Sequence, residues 1–467
     1  MRRTDSDVMV PVVQALCESI GTPRALSTWL CFKYNHAALL ELPPVDPSNN
    51  DTREFLLDYF LSEYLSKYKG LKPGIKTRDV ALSKWRLAEQ ACRETNMRFR
   101  GYRLQPFTGC VEALLFRAQR KIAGVLGTLN VPLVLSDCRW GPGATFDLRR
   151  SVATPDNKIS RAISVTASAL PYIKAVVESD PHWAYVFLGV IPEGPYSLLP
   201  SCFQIVKGSR LLAVPKNAKT DRIIAAEPTG NSFLQQGVHS YMRRRLKRFG
   251  VNLDDQSINQ TMAREAYMSE LSTLDLSAAS DSISRELVYH LLPLDWALFL
   301  DSLRSPETRV DGEWVRTEKF ASMGNAFCFE LETLIFWALA SSVERGNVGP
   351  VVSVYGDDII CSRWAYDSVV EILQFCGFSV NSKKSFKDGN FFESCGKHYH
   401  RGIEVTPAYQ KEVVYHPSEF IRAHNRLVRF ECRNGMKIFH SALKRLTNCY
   451  PLRPFPRVPY GTPGDDG

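Results

Sequence analysis

Residues 351–360 read Val-Val-Ser-Val-Tyr-Gly-Asp-Asp-Ile-Ile, and the interpretation of the whole chain begins with them. Strand-forming residues stand on both sides of a Gly-Asp-Asp turn, which predicts a β-hairpin with Asp357 and Asp358 at its tip. Two adjacent carboxylates in apolar surroundings are costly unless a cation neutralises them. Divalent metal ions that hold a triphosphate would do so. The alternative is a solvated turn, since Gly and Asp are common turn residues.

The composition indicates a globular protein with a mildly basic balance. The 467 residues are 45% hydrophobic and 23% charged, and a chain of this length suggests about two to four subdomains. The formal net charge of +9, from 58 basic and 49 acidic side chains, is compatible with a polyanionic partner. The sequence contains no uninterrupted run of about twenty apolar residues, so no membrane span is expected.

The twelve cysteines argue against a zinc ribbon or a disulfide scaffold. None of them forms a Cys-x-x-Cys pair, and this pattern fits a reducing cytosol. The nearest group of potential zinc ligands is Cys395, His398 and His400. No second ligand pair is close to it in the sequence, so we expect these three residues to be structural.

A basic turn lies between two short apolar runs, 211–215 and 223–226, and this pattern predicts a second hairpin. Lys216 and Lys219 fall on the expected loop, and Arg222 opens the next strand. Such a hairpin could direct its cations at a triphosphate. The alternative is an ordinary solvated turn.

Asp275 is expected at the end of a short strand, followed by a turn of small residues. A helix is expected to start at Ser280 or Asp281, because both residue types are good N-caps. The small side chains leave room for a substrate, so Asp275 is well placed to bind a metal. The alternative is a group of capping residues without chemistry.

The sequence Ser-Met-Gly-Asn at 322–325 precedes a long apolar helix. A turn at the start of a helix offers backbone N–H groups and a side-chain amide to a polar ligand. Glu330 and Glu332 are unusual inside such an apolar helix. We expect them to pair with basic groups in the core rather than to act in catalysis.

The sequence contains two further basic elements, one before Asp275 and one after the Gly-Asp-Asp hairpin. Arg243, Arg244 and Arg245 lie on a predicted helix, where they could contact a nucleic-acid backbone or form a solvated face. Lys383 and Lys384 are expected on a strand after the Gly-Asp-Asp hairpin. Since side chains alternate along a strand, only one of these two lysines could face the site.

The order of these elements resembles motifs F, A, B, C and D of RNA-dependent RNA polymerases. Three motifs are similar to those of the replicase subunit of leviviruses, the small positive-strand RNA bacteriophages. They are Asp-Leu-Ser-Ala-Ala-Ser-Asp-Ser at 275–282, Ser-Met-Gly-Asn and Tyr-Gly-Asp-Asp. Val-Pro-Lys-Asn at 214–217 and Glu-Ser-Cys-Gly-Lys-His-Tyr at 393–399 are similar as well. The resemblance is specific from about residue 205 to 410.

The resemblance implies an α+β fold of the right-hand polymerase type, with fingers, palm and thumb. An antiparallel sheet in the palm would carry the catalytic carboxylates. The expected segments are a mainly helical N-terminal region with fingers and bridging elements (1–205), the basic hairpin and further fingers (206–260), the palm with motifs A to D (261–400), and a basic thumb region (401–467).

Nucleotidyl transfer in such an enzyme uses two Mg²⁺ ions, which Mn²⁺ can replace. Asp275 and Asp357 are the expected bridging ligands from adjacent strands, and Asp358 is the expected supporting carboxylate. Lys384, or Lys383 beside it, would be the general acid for the leaving pyrophosphate.

The remaining expected contacts are with the nucleotide and the RNA. The expected nucleotide-binding residues are Lys216, Lys219, Arg222, Asp281, Ser322, Gly324 and Asn325. Asn325 with Asp281 or Ser280 would recognise the ribose 2′-hydroxyl, because a site left unpaired by a deoxyribose rejects it. Many relatives place the second motif A aspartate five residues after the first, whereas Asp281 is six residues after Asp275. The expected RNA-binding residues are Arg243, Arg244 and Arg245.

The function predicted from this resemblance is RNA-directed RNA synthesis on a phage positive-strand genome in the cytoplasm of the infected bacterium. The resemblance also implies host partners: elongation factors Tu and Ts and a ribosomal protein. Tyr450, Phe455 and Tyr460 are candidates for an aromatic support of primer-independent initiation. The alternatives are a reverse transcriptase, which also carries a Tyr-x-Asp-Asp hairpin, and a non-catalytic RNA-binding protein.

Overall fold

The computed structural model describes residues 5–48, 51–102, 109–159, 162–192, 194, 196–198, 200–345, 348–452 and 454–456. The helices are α1 (Asp5–Ile20), α2 (Pro23–Tyr34), α3 (His36–Glu41), α4 (Thr52–Tyr64), α5 (Thr77–Gly101), α6 (Cys110–Leu126), α7 (Val131–Leu135), α8 (Pro155–Ile159), α9 (Leu170–Ser179), α10 (Pro181–Leu188), α11 (Thr229–Arg248), α12 (Ser257–Glu265), α13 (Arg285–Leu291), α14 (Leu294–Leu303), α15 (Cys328–Ala340), α16 (Tyr366–Phe375), α17 (Pro417–Arg433) and α18 (His440–Cys449). The strands are β1 (Ile163–Val165), β2 (Phe203–Ile205), β3 (Gly208–Pro215), β4 (Asp221–Ala226), β5 (Leu271–Ser277), β6 (Glu307–Val310), β7 (Glu313–Arg316), β8 (Val352–Tyr355), β9 (Asp358–Ser362), β10 (Ser379–Val380), β11 (Phe391–Ser394), β12 (Lys397–His400) and β13 (Ile403–Glu404).

The central sheet is antiparallel, with strand order β10-β5-β9-β8. Strands β8 and β9 form the hairpin predicted from residues 351–360, and Tyr355 pairs with Asp358 across its turn. The predicted α+β class, with an antiparallel sheet that carries the three aspartates, is therefore confirmed.

Protein covers both faces of this sheet, so consecutive residues of β5 and β9 are buried instead of alternating between core and solvent. Leu274 and Ile359 point into the largest core, which includes the apolar residues of α15 and α16. Leu271 and Ile360 point to the other face and pack with Ala263 of α12 in a small separate cluster. Adjacent residues of one strand thus serve different cores.

The predicted basic hairpin is also confirmed. Strands β3 and β4 are antiparallel from Arg210–Ala226 to Pro215–Asp221. They belong to a second sheet of order β4-β3-β6-β7, in which β3 pairs with β6 in parallel. Lys216 directly follows β3, while Arg222 lies on β4.

The first and last helical segments share one hydrophobic core. Helix α1 packs along α18, and α4 contributes Phe60, whose ring lies 4.4 Å from that of Phe430 on α17. Tyr450 and Phe455 also join this core, with ring centroids 4.8 Å apart, and Tyr460 lies outside the described residues. The bounds of the four predicted segments remain predictions. Helices from the first segment (1–205) and the last segment (401–467) share this core.

Two local predictions were wrong. Strand β10 ends at Val380, so Lys383 and Lys384 lie in a turn rather than on a strand. The Asn381 side chain accepts the Lys383 backbone N–H at 3.3 Å, and this local bond replaces strand pairing.

The second error concerns the chain after Asp275. Residues 279–281 form a single 3₁₀ turn, preceded by Ala278 in the left-handed region (φ 53°). Helix α13 starts only at Arg285, so neither Ser280 nor Asp281 caps it. Both side chains are instead bonded to other partners, as described below.

Across the described residues, no helix combines the length and apolar content that crossing a bilayer requires.

Gly208 should be intolerant of substitution because a Cβ there would lie 1.9 Å from the Glu307 carbonyl oxygen of the paired strand. We expect Gly208→Ala to lower the free energy of unfolding by roughly 1–3 kcal/mol, measured by chemical denaturation. Gly143→Ala is the matched control, since nothing lies within 4 Å of its Cβ position. Equal stability of the two variants would contradict the close pairing of β3 and β6.

Candidate active site

The central sheet brings three aspartates together from two distant parts of the chain. Asp275 on β5 is paired in register with Asp358 on β9. Asp357 precedes Asp358 and occupies the two-residue turn of the hairpin with Gly356. The sequence analysis placed Asp275 and Asp357 on adjacent strands, whereas Asp358 is the strand partner of Asp275 and Asp357 lies in the turn beside them.

Burial and mutual repulsion raise the pKa values of two of these aspartates. Burial and the neighbouring Asp357 raise the pKa of Asp358 to about 7. Loss of hydration and the nearby Asp275 raise the pKa of Asp357 above its ordinary value, while Lys384 and Arg222 act in the opposite direction. Three carboxylates in this setting attract cations.

The turn of the hairpin requires glycine at position 356. Gly356 has a φ of +61°, and a Cβ there would lie 2.3 Å from the Phe329 ring. Its backbone N–H donates to the Thr333 hydroxyl on α15 at 3.0 Å. The tip that carries Asp357 is thereby bonded to the helix behind it.

Polar side chains that the sequence analysis missed hold the aspartates in place. The Asn381 amide donates to one carboxylate oxygen of Asp275 at 3.0 Å. The Ser385 hydroxyl accepts the Asp275 backbone N–H at 3.0 Å. The Ser394 hydroxyl lies 3.4 Å from a carboxylate oxygen of Asp358. The sequence gives no signal that these three side chains contact the aspartates, because the contacts depend on long-range packing.

Cations surround the aspartates on one side. Partial burial, together with nearby Arg222, Lys384 and Lys84, lowers the pKa of Lys216. Lys216 and Arg222 therefore belong to the same electrostatic environment as the aspartates. Lys219 does not join them directly, because its ammonium group donates to the Leu40 carbonyl oxygen near the end of α3.

Lys384 is the lysine that the fold brings to the cluster. Its ammonium nitrogen lies 3.7 Å from Asp275 and 3.5 Å from Glu393 on β11. Burial alone would lower the pKa of Lys384, but the attraction of Glu393 and Asp275 outweighs it and raises that pKa. Lys383 is exposed, and no ion pair of it occurs within the described part of the chain.

The Ser-Met-Gly-Asn turn packs against the basic hairpin. Gly324 has a φ of +117°, and a Cβ there would lie 2.1 Å from the Ala225 carbonyl oxygen. The turn closes with a bond from the Asn325 N–H to the Ser322 carbonyl at 2.9 Å. Asn325 is buried, and its side-chain NH₂ finds no hydrogen-bond partner among the described residues, so it is an unsatisfied buried donor.

Asp281 and Ser280, the two candidates for ribose recognition beside Asn325, are both occupied. Asp281 forms a 2.8 Å ion pair with the fully buried Lys319. The Ser280 hydroxyl donates to Glu332 at 2.6 Å. This arrangement favours Asn325 over Asp281 as the free polar group.

The expectation for the two glutamates of α15 was half right. Glu330 does pair with basic groups, His239 at 3.0 Å and Arg243 at 3.3 Å. No basic partner of Glu332 occurs among the residues that the structure describes. Burial and the nearby Asp357 instead raise the pKa of Glu332 to about 8, so its carboxyl group is largely protonated at neutral pH.

The three arginines predicted to bind RNA have partners within the protein. Arg243 contacts Asp254 at 2.8 Å as well as Glu330, and Arg244 contacts Asp137 at 2.5 Å. Arg245 donates to the carbonyl groups of Val125 and Gly124. These contacts stabilise α11 against its neighbours, and they do not favour the predicted RNA contact.

Cys395, His398 and His400 were expected to be structural, and His400 has partners within the protein. His400 is completely buried between the Thr52 hydroxyl and the Pro47 carbonyl, at 2.8 and 3.1 Å. No group of three His, Cys, Asp or Glu side chains in the described ranges forms a ready-made metal cage. The aspartates nevertheless fit Mg²⁺, which binds few protein carboxylates and completes its octahedron with phosphate oxygens and water.

A family model described as "RNA replicase, beta-chain" matches residues 6–447. The chain belongs to this family. It is 40% identical over 391 residues to the RNA-directed RNA polymerase subunit beta of Qbeta virus (strain MX1), covering 82% of this chain and 64% of the relative. It is 36% identical over 440 residues to the corresponding subunit of Enterobacteria phage SP, covering 92% and 72%.

This replicase-family chain thus spans less than two thirds of the length of its Qbeta relatives. A solved structure with some likeness is the RNA-dependent RNA polymerase of a human picobirnavirus. The two are 13% identical, with a TM-score of 0.38 and coverage of 72% of this chain and 68% of the other. A TM-score this low indicates no property of the present chain.

Asp358→Asn should stabilise the metal-free protein, and the gain should grow with pH. The pKa of Asp358 is about 7 in the folded state against an ordinary 3.8, so the folded protein holds a proton that the unfolded chain has lost. The stability of the parent therefore falls as pH rises from about 4 to about 7. We expect a gain of roughly 1–3 kcal/mol at pH 8 that shrinks towards pH 5, measured by urea unfolding in EDTA.

The exposed Asp156 supplies the control, since Asp156→Asn should have no such pH dependence. A gain for Asp358→Asn that is the same at pH 5 and pH 8 would show that the pKa of its carboxyl group is not raised in the folded protein.

Proposed function

We propose that this chain catalyses RNA-directed RNA synthesis, joining ribonucleoside triphosphates on an RNA template. The observation that carries the proposal is the register of Asp275 with Asp358, which sets two carboxylates side by side with a third at the adjacent turn. Membership of the replicase beta-chain family supports it. The reaction class is nucleotidyl transfer.

Asp275 and Asp357 would bind two divalent cations, with Asp358 as the supporting carboxylate. Mg²⁺ is the proposed ion, and Mn²⁺ could replace it. When bound, the ions would activate the primer 3′-hydroxyl and neutralise the leaving pyrophosphate. The chain's own contribution is to hold the carboxylates: Asn381 orients Asp275, and the bonded turn at Gly356 fixes Asp357.

The cationic side of the site would bind the triphosphate. Lys216 and Arg222 lie near the aspartates, so they would neutralise phosphate charge and orient the nucleotide. Lys384 would donate a proton to the leaving pyrophosphate, because its ammonium lies beside Asp275. The proposal for Lys219 requires its ammonium to leave the Leu40 carbonyl when a nucleotide binds.

Recognition of the ribose is assigned to the Ser322–Asn325 turn. The unpaired amide of Asn325 is the donor for the 2′-hydroxyl, and Gly324 lets the turn lie against Ala225. Asp281 could contact the sugar only if its carboxylate bound the ribose while also pairing with Lys319. A buried donor left unpaired by a deoxyribose would reject dNTPs.

The remaining partners are proposed from the family resemblance. They are an RNA template and its product, elongation factors Tu and Ts, and a ribosomal protein, in the cytoplasm of an infected bacterium. A template contact through Arg243, Arg244 and Arg245 would have to compete with their present carboxylate and carbonyl partners.

Asp357→Asn should lower the rate of nucleotide incorporation by roughly 10²–10³-fold or more, because it removes one charge from the metal-binding cluster. The measurement is extension of a primed RNA template with NTPs and Mg²⁺. Asp367→Asn is the matched control, as that aspartate is 68% exposed and forms a surface ion pair with Lys387. Full activity of Asp357→Asn would show that Asp357 is not part of the active site. Unchanged RNA affinity without any activity in the parent would favour a binding protein.

Asn325→Ala should narrow the preference for NTPs over dNTPs, since it removes the unpaired amide donor. The measurement is the ratio of kcat/KM for ATP and dATP on one primed template. We expect the ratio to fall by about 10-fold or more, mainly through loss of ATP efficiency. A parent that prefers dNTPs would instead indicate a reverse transcriptase.

A further inference from the structure

Glu393 is a buried carboxylate beside the candidate active site. It lies on β11, and only 11% of its side chain is exposed. One carboxylate oxygen is 3.5 Å from the Lys384 ammonium, and the other is 3.4 Å from His398. Within the described ranges, Glu393 and Asp275 are the two carboxylates within ion-pair distance of Lys384.

The surroundings of Glu393 fix its position. It is paired in register with His398 on β12. Burial and nearby cations lower the pKa of His398 to about 3, so its imidazole is neutral and accepts the Tyr59 hydroxyl at 2.5 Å. Phe391, two residues before Glu393 on β11, packs edge-on against the Tyr59 ring, with centroids 5.4 Å apart. Tyr59 belongs to α4, so Glu393 is anchored to the core shared by the first and last helices.

Lys384 needs such an anchor, because its side chain is long, lies in a turn and is 54% exposed. With Asp275 as its sole partner, the ammonium group would settle on that carboxylate. It would then compete with a divalent cation for Asp275, since both are positive. A second carboxylate on the far side holds the lysine between two partners and leaves Asp275 accessible to a metal.

We propose that Glu393 is a positioning residue for Lys384: it holds the ammonium group beside the pyrophosphate of the bound nucleotide and away from Asp275. When the charge of Asp275 is neutralised in the loaded site, Glu393 stays as the lysine's partner. This inference rests on the proposed function, in which Lys384 donates the proton to the leaving group.

The experiment is a double-mutant cycle of Glu393→Gln and Lys384→Met in the full chain, purified with any host proteins that accompany it. Single-nucleotide addition to a primed RNA template gives kcat and the KM for the NTP. We expect Lys384→Met to lower kcat by roughly 10²-fold and Glu393→Gln by about 10-fold, with the KM changed less than about 3-fold. In the Lys384→Met background, Glu393→Gln should have no further effect on kcat.

The matched control is Glu404→Gln, which removes another glutamate of the same sheet that pairs with a lysine, Lys397 at 2.7 Å. It should leave kcat unchanged. Glu393→Asp keeps the charge and should recover part of the lost rate, which a purely structural defect would not allow.

Binding of Mn²⁺ by calorimetry gives a readout that does not depend on turnover. Glu393→Gln should weaken Mn²⁺ binding by about 3-fold, because the lysine moves towards Asp275, and adding Lys384→Met should restore it. An equal loss of kcat in both backgrounds, or no loss in either, would overturn the inference.

The cycle also separates this inference from the proposals on which it depends. A parent that adds no nucleotide would remove the proposed function itself. An active parent with a fully active Lys384→Met variant would remove the lysine's role, and with it that of Glu393, while leaving the polymerase assignment intact.

Discussion

The burial of three neighbouring carboxylates is the constraint on which the rest of this structure depends. Taking Asp358 out of water beside Asp357 and Asp275 costs free energy, as its pKa of about 7 shows. The surrounding protein offsets that cost with an amide, hydroxyl groups and cations from several segments. Sites that store electrostatic strain of this kind are typical of catalytic centres.

The compensation comes from elements that are far apart in the chain. The basic hairpin supplies Lys216 and Arg222, the turn after β10 supplies Asn381 and Lys384, and β11 supplies the Ser394 hydroxyl. Helix α15 supports the hairpin tip from behind through Thr333. A nucleotide that enters with its cations would relieve the repulsion, so binding and stability are linked in this site.

Local patterns were sufficient to predict both hairpins and the apolar helix after Asn325, while the α+β class came from the family resemblance. They failed where a side chain bonded to its own backbone or to a distant segment. The Asn381 bond to the Lys383 N–H turned an expected strand into a turn. The internal partners of Arg244 and Arg245 lie more than a hundred residues earlier, at Asp137 and at Gly124–Val125. Charge clusters in a sequence do not reveal whether the fold has already neutralised them.

The shared core of the first and last helices has a consequence for synthesis of the protein. Val12 and Leu16 of α1 are fully buried in a cluster that includes Ala442 and Leu446 of α18. That cluster cannot close until α18 has left the ribosome, roughly 20–90 s after α1 at about 5–20 residues per second. Since the Tyr59–His398 hydrogen bond ties the same core to the β11-β12-β13 sheet that carries Glu393, a nascent chain would complete the contacts around that sheet only after α18 has been synthesised.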